Sequence, residues 1–139
     1  MLERSSRVPL VSIIVAGVAA FVISFIATFL IVGVYAFVLA FQVRSAPDPL
    51  KINAFANQVA PLLSPILLTV LVILAARFIV SRSQTPRVWY GALVGIIATL
   101  PTLAFTGIPN AVQTAGLLLP MMGGMLGAYL AMRPQRVSP

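Results

Sequence analysis

The sequence predicts an all-α membrane protein, a bundle of four transmembrane helices in two hairpins, with both termini cytoplasmic and the first hairpin longer than the second. Three observations predict this fold. The chain of 139 residues is 60% hydrophobic and only 8% charged, whereas a globular domain carries roughly 25% charged residues. The charged residues bracket long uncharged stretches. Most of the cations also fall on one side of the predicted membrane.

The uncharged stretches are long enough to cross a bilayer, because a transmembrane helix needs about 20 mostly apolar residues for a hydrocarbon core of about 30 Å. These stretches contain 36 residues at 8–43, 25 at 52–76 and 45 at 88–132. The third is long enough for two helices joined by a turn. We therefore predict one membrane domain of residues 1–139, with spans at about 9–43, 52–80, 88–106 and 111–132.

Proline and glycine mark the connections and the irregular points of these helices. Pro47 and Pro49 disfavour helix in the residues before them and predict a stiff turn after the first span. Pro61 and Pro65 are expected to kink or restart the second helix. The segment 107–110, which contains glycine and proline, predicts a tight uncharged turn between the third and fourth spans.

The start of the chain resembles a secretory signal peptide, because Arg4 and Arg7 precede an apolar run. The apolar region of a signal peptide spans about 7 to 15 residues. This run continues for 36 residues. We therefore expect the first segment to be retained as a transmembrane helix.

The distribution of cations predicts the orientation. With four spans, the side of the two termini carries Arg4, Arg7, Arg77, Arg82, Arg87, Arg133 and Arg136, and the opposite side carries Arg44 and Lys51. Cytoplasmic segments are enriched in Lys and Arg, so both termini are predicted to be cytoplasmic. The excess of arginine over lysine and the short charged loops favour a bacterial cytoplasmic, or inner, membrane.

Small residues recur at intervals that suit close helix packing. They lie four residues apart on the first, third and fourth spans and include Ala16, Ala20, Ser24, Thr28, Gly91, Gly95, Gly123 and Gly127. Two interpretations fit this pattern, packing within one bundle and self-association of chains. Packing within the bundle is the favoured one, and neither interpretation implies chemistry.

Uncharged polar residues gather toward the predicted outer end, among them Asn57, Gln58, Asn110 and Gln113. Their amides could line a shallow outward-facing vestibule. The favoured interpretation is simpler, because amides at headgroup depth can form hydrogen bonds with water and lipid. Residues 56–65 also align with 111–120, which leaves open a parallel repeat of two hairpins.

The residue inventory argues against catalysis. The chain has no cysteine and no histidine, and it has two acidic residues in all. Enzymes generally position an acid, a base, a nucleophile or a metal. We therefore expect no catalytic residue, no metal site and no cofactor. Nucleic-acid binding is not expected either, because the cations flank apolar spans instead of forming a polar stripe.

The expected function is that of a non-catalytic membrane protein, either an accessory or assembly subunit of a larger complex or a small homo-oligomer. The expected partners are the bilayer, anionic lipids at the cytoplasmic face, and a membrane-protein partner or a second copy. The alternative is a small channel or transporter. In size and span number the chain resembles the small multidrug resistance exporters, but the membrane-embedded glutamate of their first helix has no counterpart in 8–43.

Overall fold

The structure, a computed structural model, describes residues 10–44, 46, 48–83, 87–106 and 111–132, with the backbone alone at 105, 106, 111–113 and 115. The described residues form no strand and fold into four α-helices, which are α1 (Leu10–Val43), α2 (Pro49–Ser81), α3 (Val88–Thr106) and α4 (Ala111–Met132). The prediction of an all-α bundle of four helices is confirmed. The predicted turn at 107–110 lies outside the described residues.

Helix α1 is a single run of 34 residues. It ends after Val43 because Arg44 adopts the left-handed backbone conformation, with φ of 52°, which breaks the helical hydrogen-bond ladder. Its buried residues are Ile13, Gly17, Ala20 and Ser24, all in the half nearer the N-terminus. The other half of α1 therefore packs much less deeply against the bundle.

Helix α2 begins three residues before the predicted span, at Pro49. Asp48 caps it, because the backbone N–H of Leu50 donates a hydrogen bond of 2.9 Å to Asp48 Oδ1. Proline is well tolerated at the first helical position, where its missing N–H costs no bond. Of the two expectations for Pro61 and Pro65, a restart is wrong, since α2 is continuous through both prolines, and a kink stays a prediction.

The four helices alternate in direction. Ser24 meets Ser64 and Tyr35 meets Phe55, so α1 and α2 are antiparallel. On α4, Gly116 lies near Pro65 and Gly127 near Ile73, so α2 and α4 run in the same direction. Gly91 and Gly95 of α3 face Gly124 and Pro120 of α4 in reverse order, so α3 runs opposite to α4. The N-terminal ends of α1 and α3 therefore share one end of the bundle with the C-terminal ends of α2 and α4.

The contacts between helices are not symmetric. Helix α2 contacts all three others, and α4 packs against α2 and α3, whereas the described residues of α1 and α4 do not touch. The parallel course of α2 and α4 agrees with a parallel repeat. Such a repeat would relate α1 to α3 and α2 to α4 by a two-fold axis, so that α4 would contact α1 as α2 contacts α3. The described residues of α1 and α4 make no such contact, and the exact two-fold relation is therefore absent.

The first hairpin is longer than the second. At 1.5 Å per residue, the 34 residues of α1 span about 51 Å and the 19 residues of α3 about 28 Å. A Cβ placed on Gly116 would lie 3.6 Å from Pro65 Cγ, so α4 begins near the level of residue 60 in α2. Beyond the start of α4, the two helices of the first hairpin, α1 and α2, still pack against each other. The rings of Tyr35 and Phe55 stack there with their centroids 3.8 Å apart.

The apolar surface of the bundle is extensive. Exposed side chains include Phe29, Leu30, Phe37 and Phe41 on α1, and Phe41 is 79% exposed. Among the described residues, α1 and α2 are each long and apolar enough to cross a membrane by length and composition. The apolar parts of α3 and α4, Val88–Ala104 and Gly116–Met132, are shorter, so the third and fourth spans stay predictions.

The stacked pair of Tyr35 and Phe55 generates a prediction about the projecting hairpin. Aromatic pairs contribute about 0.5 to 1.5 kcal/mol beyond area burial. We expect a double-mutant cycle of Tyr35→Ala and Phe55→Ala to give a coupling energy of that size, measured by unfolding in detergent. As a control, Phe37→Ala should combine additively with Phe55→Ala, because Phe37 is 71% exposed. A coupling near zero for the first pair would mean that the two arms separate.

Candidate functional site

Helices α3 and α4 meet through glycines that bring their backbones into contact. A Cβ added to Gly91 would strike the carbonyl oxygen of Gly124, and one added to Gly124 would strike that of Gly91. One turn further along, a Cβ on Gly95 would lie 2.6 Å from the Pro120 oxygen. The α hydrogens that replace these Cβ atoms face carbonyl oxygens, an arrangement typical of weak Cα–H···O contacts at helix interfaces.

A second glycine pair on α4 faces α2. A Cβ on Gly123 would lie 2.8 Å from Thr69 Cγ2, and one on Gly127 would strike the carbonyl group of Ile73. Helix α4 thus lies between α2 and α3 with glycine on both contacting faces. We call the residues Gly91, Gly95, Gly123, Gly124 and Gly127 the glycine seam.

The small residues of α1 lie on its buried side. Ala20 and Ser24 are 3% and 2% exposed, and Ala16 and Thr28 are half-buried. The contact with α3 uses a residue that the sequence analysis did not single out, Gly17, whose added Cβ would lie 2.7 Å from Ile97 Cγ2. The spacing of three and four residues from Ile13 through Gly17 and Ala20 to Ser24 places Gly17 on the same buried face, although Gly17 falls outside the strict four-residue series.

The hydroxyl groups of the interior bond to backbone carbonyls. Ser24 Oγ donates across the helix interface to the Ser64 oxygen at 3.4 Å, and Thr69 Oγ1 donates to the Pro65 oxygen at 2.6 Å. Thr99 Oγ1 donates to the Ile96 oxygen at 2.8 Å. Ser24 and Thr99 are the buried polar side chains of the described residues, and both are satisfied within the bundle.

The outer polar residues are only partly placed. Asn57 and Gln58 are exposed on α2. Asn110 lies outside the described residues, and Gln113 is described by its backbone alone. A vestibule formed by these four amides therefore stays a prediction. Across the described part of the chain, no group of three His, Cys, Asp or Glu side chains lies close enough together to bind a metal ion.

Comparison of the chain with protein-family models, with curated proteins and with solved structures finds no match. The class of the protein is accordingly the one that its own fold defines. It is an all-α bundle of four helices, of which two are long and apolar enough to cross a membrane.

The reciprocal contact of Gly91 and Gly124 predicts a stability change with a matched control. Gly124→Ala should lower the free energy of unfolding by about 1 to 3 kcal/mol, because the new methyl group forces two backbones apart. Gly33→Ala should leave stability unchanged or raise it by up to about 1 kcal/mol, because alanine favours helix and nothing lies within 4 Å of a Cβ there. Unfolding in detergent measures both, and equal effects would contradict the close contact.

The two glycines that face α2 should differ in their tolerance of alanine. At Gly123 the added methyl group meets side-chain atoms of Thr69 and Ile73, which can move, whereas at Gly127 it meets the backbone of Ile73. We expect Gly127→Ala to be the more destabilising of the two by about 1 kcal/mol. The same unfolding measurement ranks the two variants by their loss of stability. A larger loss for Gly123→Ala would contradict the backbone contact between Gly127 and Ile73.

Proposed function

We propose that the chain is an integral membrane protein with four spans. The observation that carries the proposal is the distribution of side-chain size: the buried residues are mostly small, while large apolar side chains cover the outside. In lipid no hydrophobic effect drives helices together, so helix association relies on close approach between small residues. The glycine seam provides such an approach on two faces of α4.

We further propose that both termini face the cytoplasm of a bacterial cell. Arg77, Arg82 and Arg87 lie at the end of the bundle where α1 begins, and Arg44 and Lys51 lie at the opposite end. The excess of cations at the first end supports a cytoplasmic location for it. Trp89 on α3 and Tyr129 on α4 are exposed near this end, as is usual for aromatic residues at a membrane interface.

In this membrane the proposed role is non-catalytic, as an accessory or assembly subunit of a larger complex or as a small homo-oligomer. The projecting half of α1 supports it, because Phe37 and Phe41 are exposed there and α4 does not cover α1. Such a surface suits lipid or the apolar face of another membrane protein. The buried hydroxyls of Ser24 and Thr99 bond to backbone carbonyls, which favours a packing role over a transport pathway.

The proposed orientation can be tested with single cysteines, since the natural chain has none. Ala46→Cys lies in the connection between α1 and α2, and Ser83→Cys follows α2 at the other end. A maleimide that cannot cross membranes should label the first in intact cells and the second only after the membrane is opened. Labelling of both from one side would mean that α2 does not cross the bilayer, and the reverse pattern would invert the topology.

The mass of the solubilised protein tests the proposed role as a subunit or homo-oligomer. We expect gentle solubilisation and native mass measurement to give either a defined homo-oligomer or a complex with a copurifying membrane protein. A lone monomer would count against the subunit role. Transport of a solute by the purified chain in proteoliposomes would replace this role with the channel or transporter alternative.

A further inference from the structure

An apolar groove of about 600 Å³ runs between α1 and α2. Its walls are formed by Val11, Val15 and Ile23 on α1 and by Leu71 and Phe78 on α2, and alanines such as Ala19 keep it open. The groove extends from Ile23 in the middle of α1 to Val11 at its N-terminal end, about 18 Å at 1.5 Å per residue. One leaflet of a bilayer has about half the hydrocarbon thickness of about 30 Å, so the groove matches one leaflet in depth.

A guanidinium group lies next to the Val11 end of this groove. The Cζ atom of Arg82 lies 4.0 Å from the ring centroid of Phe78, and Phe78 lines the groove. Leu71, Phe78 and Arg82 share one face of α2, because their spacing follows whole helical turns. The cation–π contact holds the guanidinium near the groove.

The charge of Arg82 lacks a nearby carboxylate within the described part of the chain. The single acidic residue described is Asp48, which caps α2 at the opposite end of the bundle. The neighbouring Arg77 and Arg87 are exposed and basic. The open end of an apolar groove therefore has a positive potential, which is complementary to an anionic headgroup.

We propose that this groove binds an anionic phospholipid of the leaflet at the basic end, with one acyl chain between α1 and α2 and the headgroup phosphate on Arg82. The proposal rests on the membrane integration proposed above. A phospholipid fits better than a helix from a second copy, because an α-helix with side chains is about 10 Å wide. A second copy in the same orientation would also place its own cations beside Arg82.

Lipid titration of the purified chain in detergent, followed by native mass spectrometry, tests the headgroup contact. The probes are phosphatidylglycerol and phosphatidylcholine with identical acyl chains. The wild-type chain should bind one phosphatidylglycerol in preference to phosphatidylcholine. Arg82→Gln should weaken phosphatidylglycerol binding by about fivefold, the effect of one cation near an anionic surface.

Arg77→Gln is the matched control for the headgroup contact. It removes the same charge at the same end, but its side chain projects about 140° away from Arg82 around α2. It should leave phosphatidylglycerol binding unchanged. Equal losses in the Arg82 and Arg77 variants would overturn the site, because they would indicate general attraction to a basic surface.

A second pair of variants tests the acyl chain. Ala19→Leu fills the groove from an exposed position and should weaken binding of both lipids. Ala54→Leu adds the same volume at an exposed position outside the groove and should have no effect. Circular dichroism checks that all variants keep their helix content.

Four further outcomes would overturn the proposal. Unchanged lipid binding in Ala19→Leu would show that no acyl chain occupies the groove. A wild-type dimer that Ala19→Leu disperses would assign the groove to a second copy. Recovery of the chain outside the membrane fraction would refute both this proposal and the proposed membrane integration, whereas a membrane-bound chain without a lipid preference would refute the lipid site alone.

Discussion

The structure depends on the close approach of helix backbones at the glycine seam. Gly91 and Gly124 each occupy the space that the other would need for a side chain. On its other contacting face, α4 packs against α2 through Gly123 and Gly127. Three helices are thereby held at short distances, with Val72 and Val94 fully buried between them, and α1 joins them through Gly17 against Ile97. In the membrane location proposed above, burial of apolar surface gives no net gain, so this close contact would be a main source of association energy.

Because most of the buried residues are small, many of the large apolar residues lie on the outside. Phe29, Phe37 and Phe41 contribute strongly to the exposed surface of α1, and the projecting hairpin has only its own two arms to pack together. The groove beside Phe78 is lined by alanines of both α1 and α2, whose short side chains leave it open. The proposed lipid site and the proposed partner surface thus both lie on apolar surface of α1 and α2 that the close packing around α4 leaves uncovered.

Much of the secondary structure could be predicted from the sequence, because the charged residues mark the ends of apolar helices. Helix α2 starts at Pro49, three residues before the predicted membrane span, where an Asp-Pro pair forms a common helix start. The neighbours of each small residue could not be predicted: helical spacing shows which residues share a face, and only the assembled bundle shows that Gly91 meets Gly124 while Gly33 meets nothing. The amides at Asn110 and Gln113 remain sequence predictions.

Solid-state NMR of the chain in lipid bilayers tests the central claim most directly, because the nine glycines permit selective isotope labelling. Our account predicts a cross-peak between Gly91 and Gly124 that persists when the labelled chain is diluted into excess unlabelled chain. Persistence would place the contact within one bundle. A cross-peak that vanishes on dilution would show that the glycines join separate chains, and the absence of any cross-peak would contradict the seam itself.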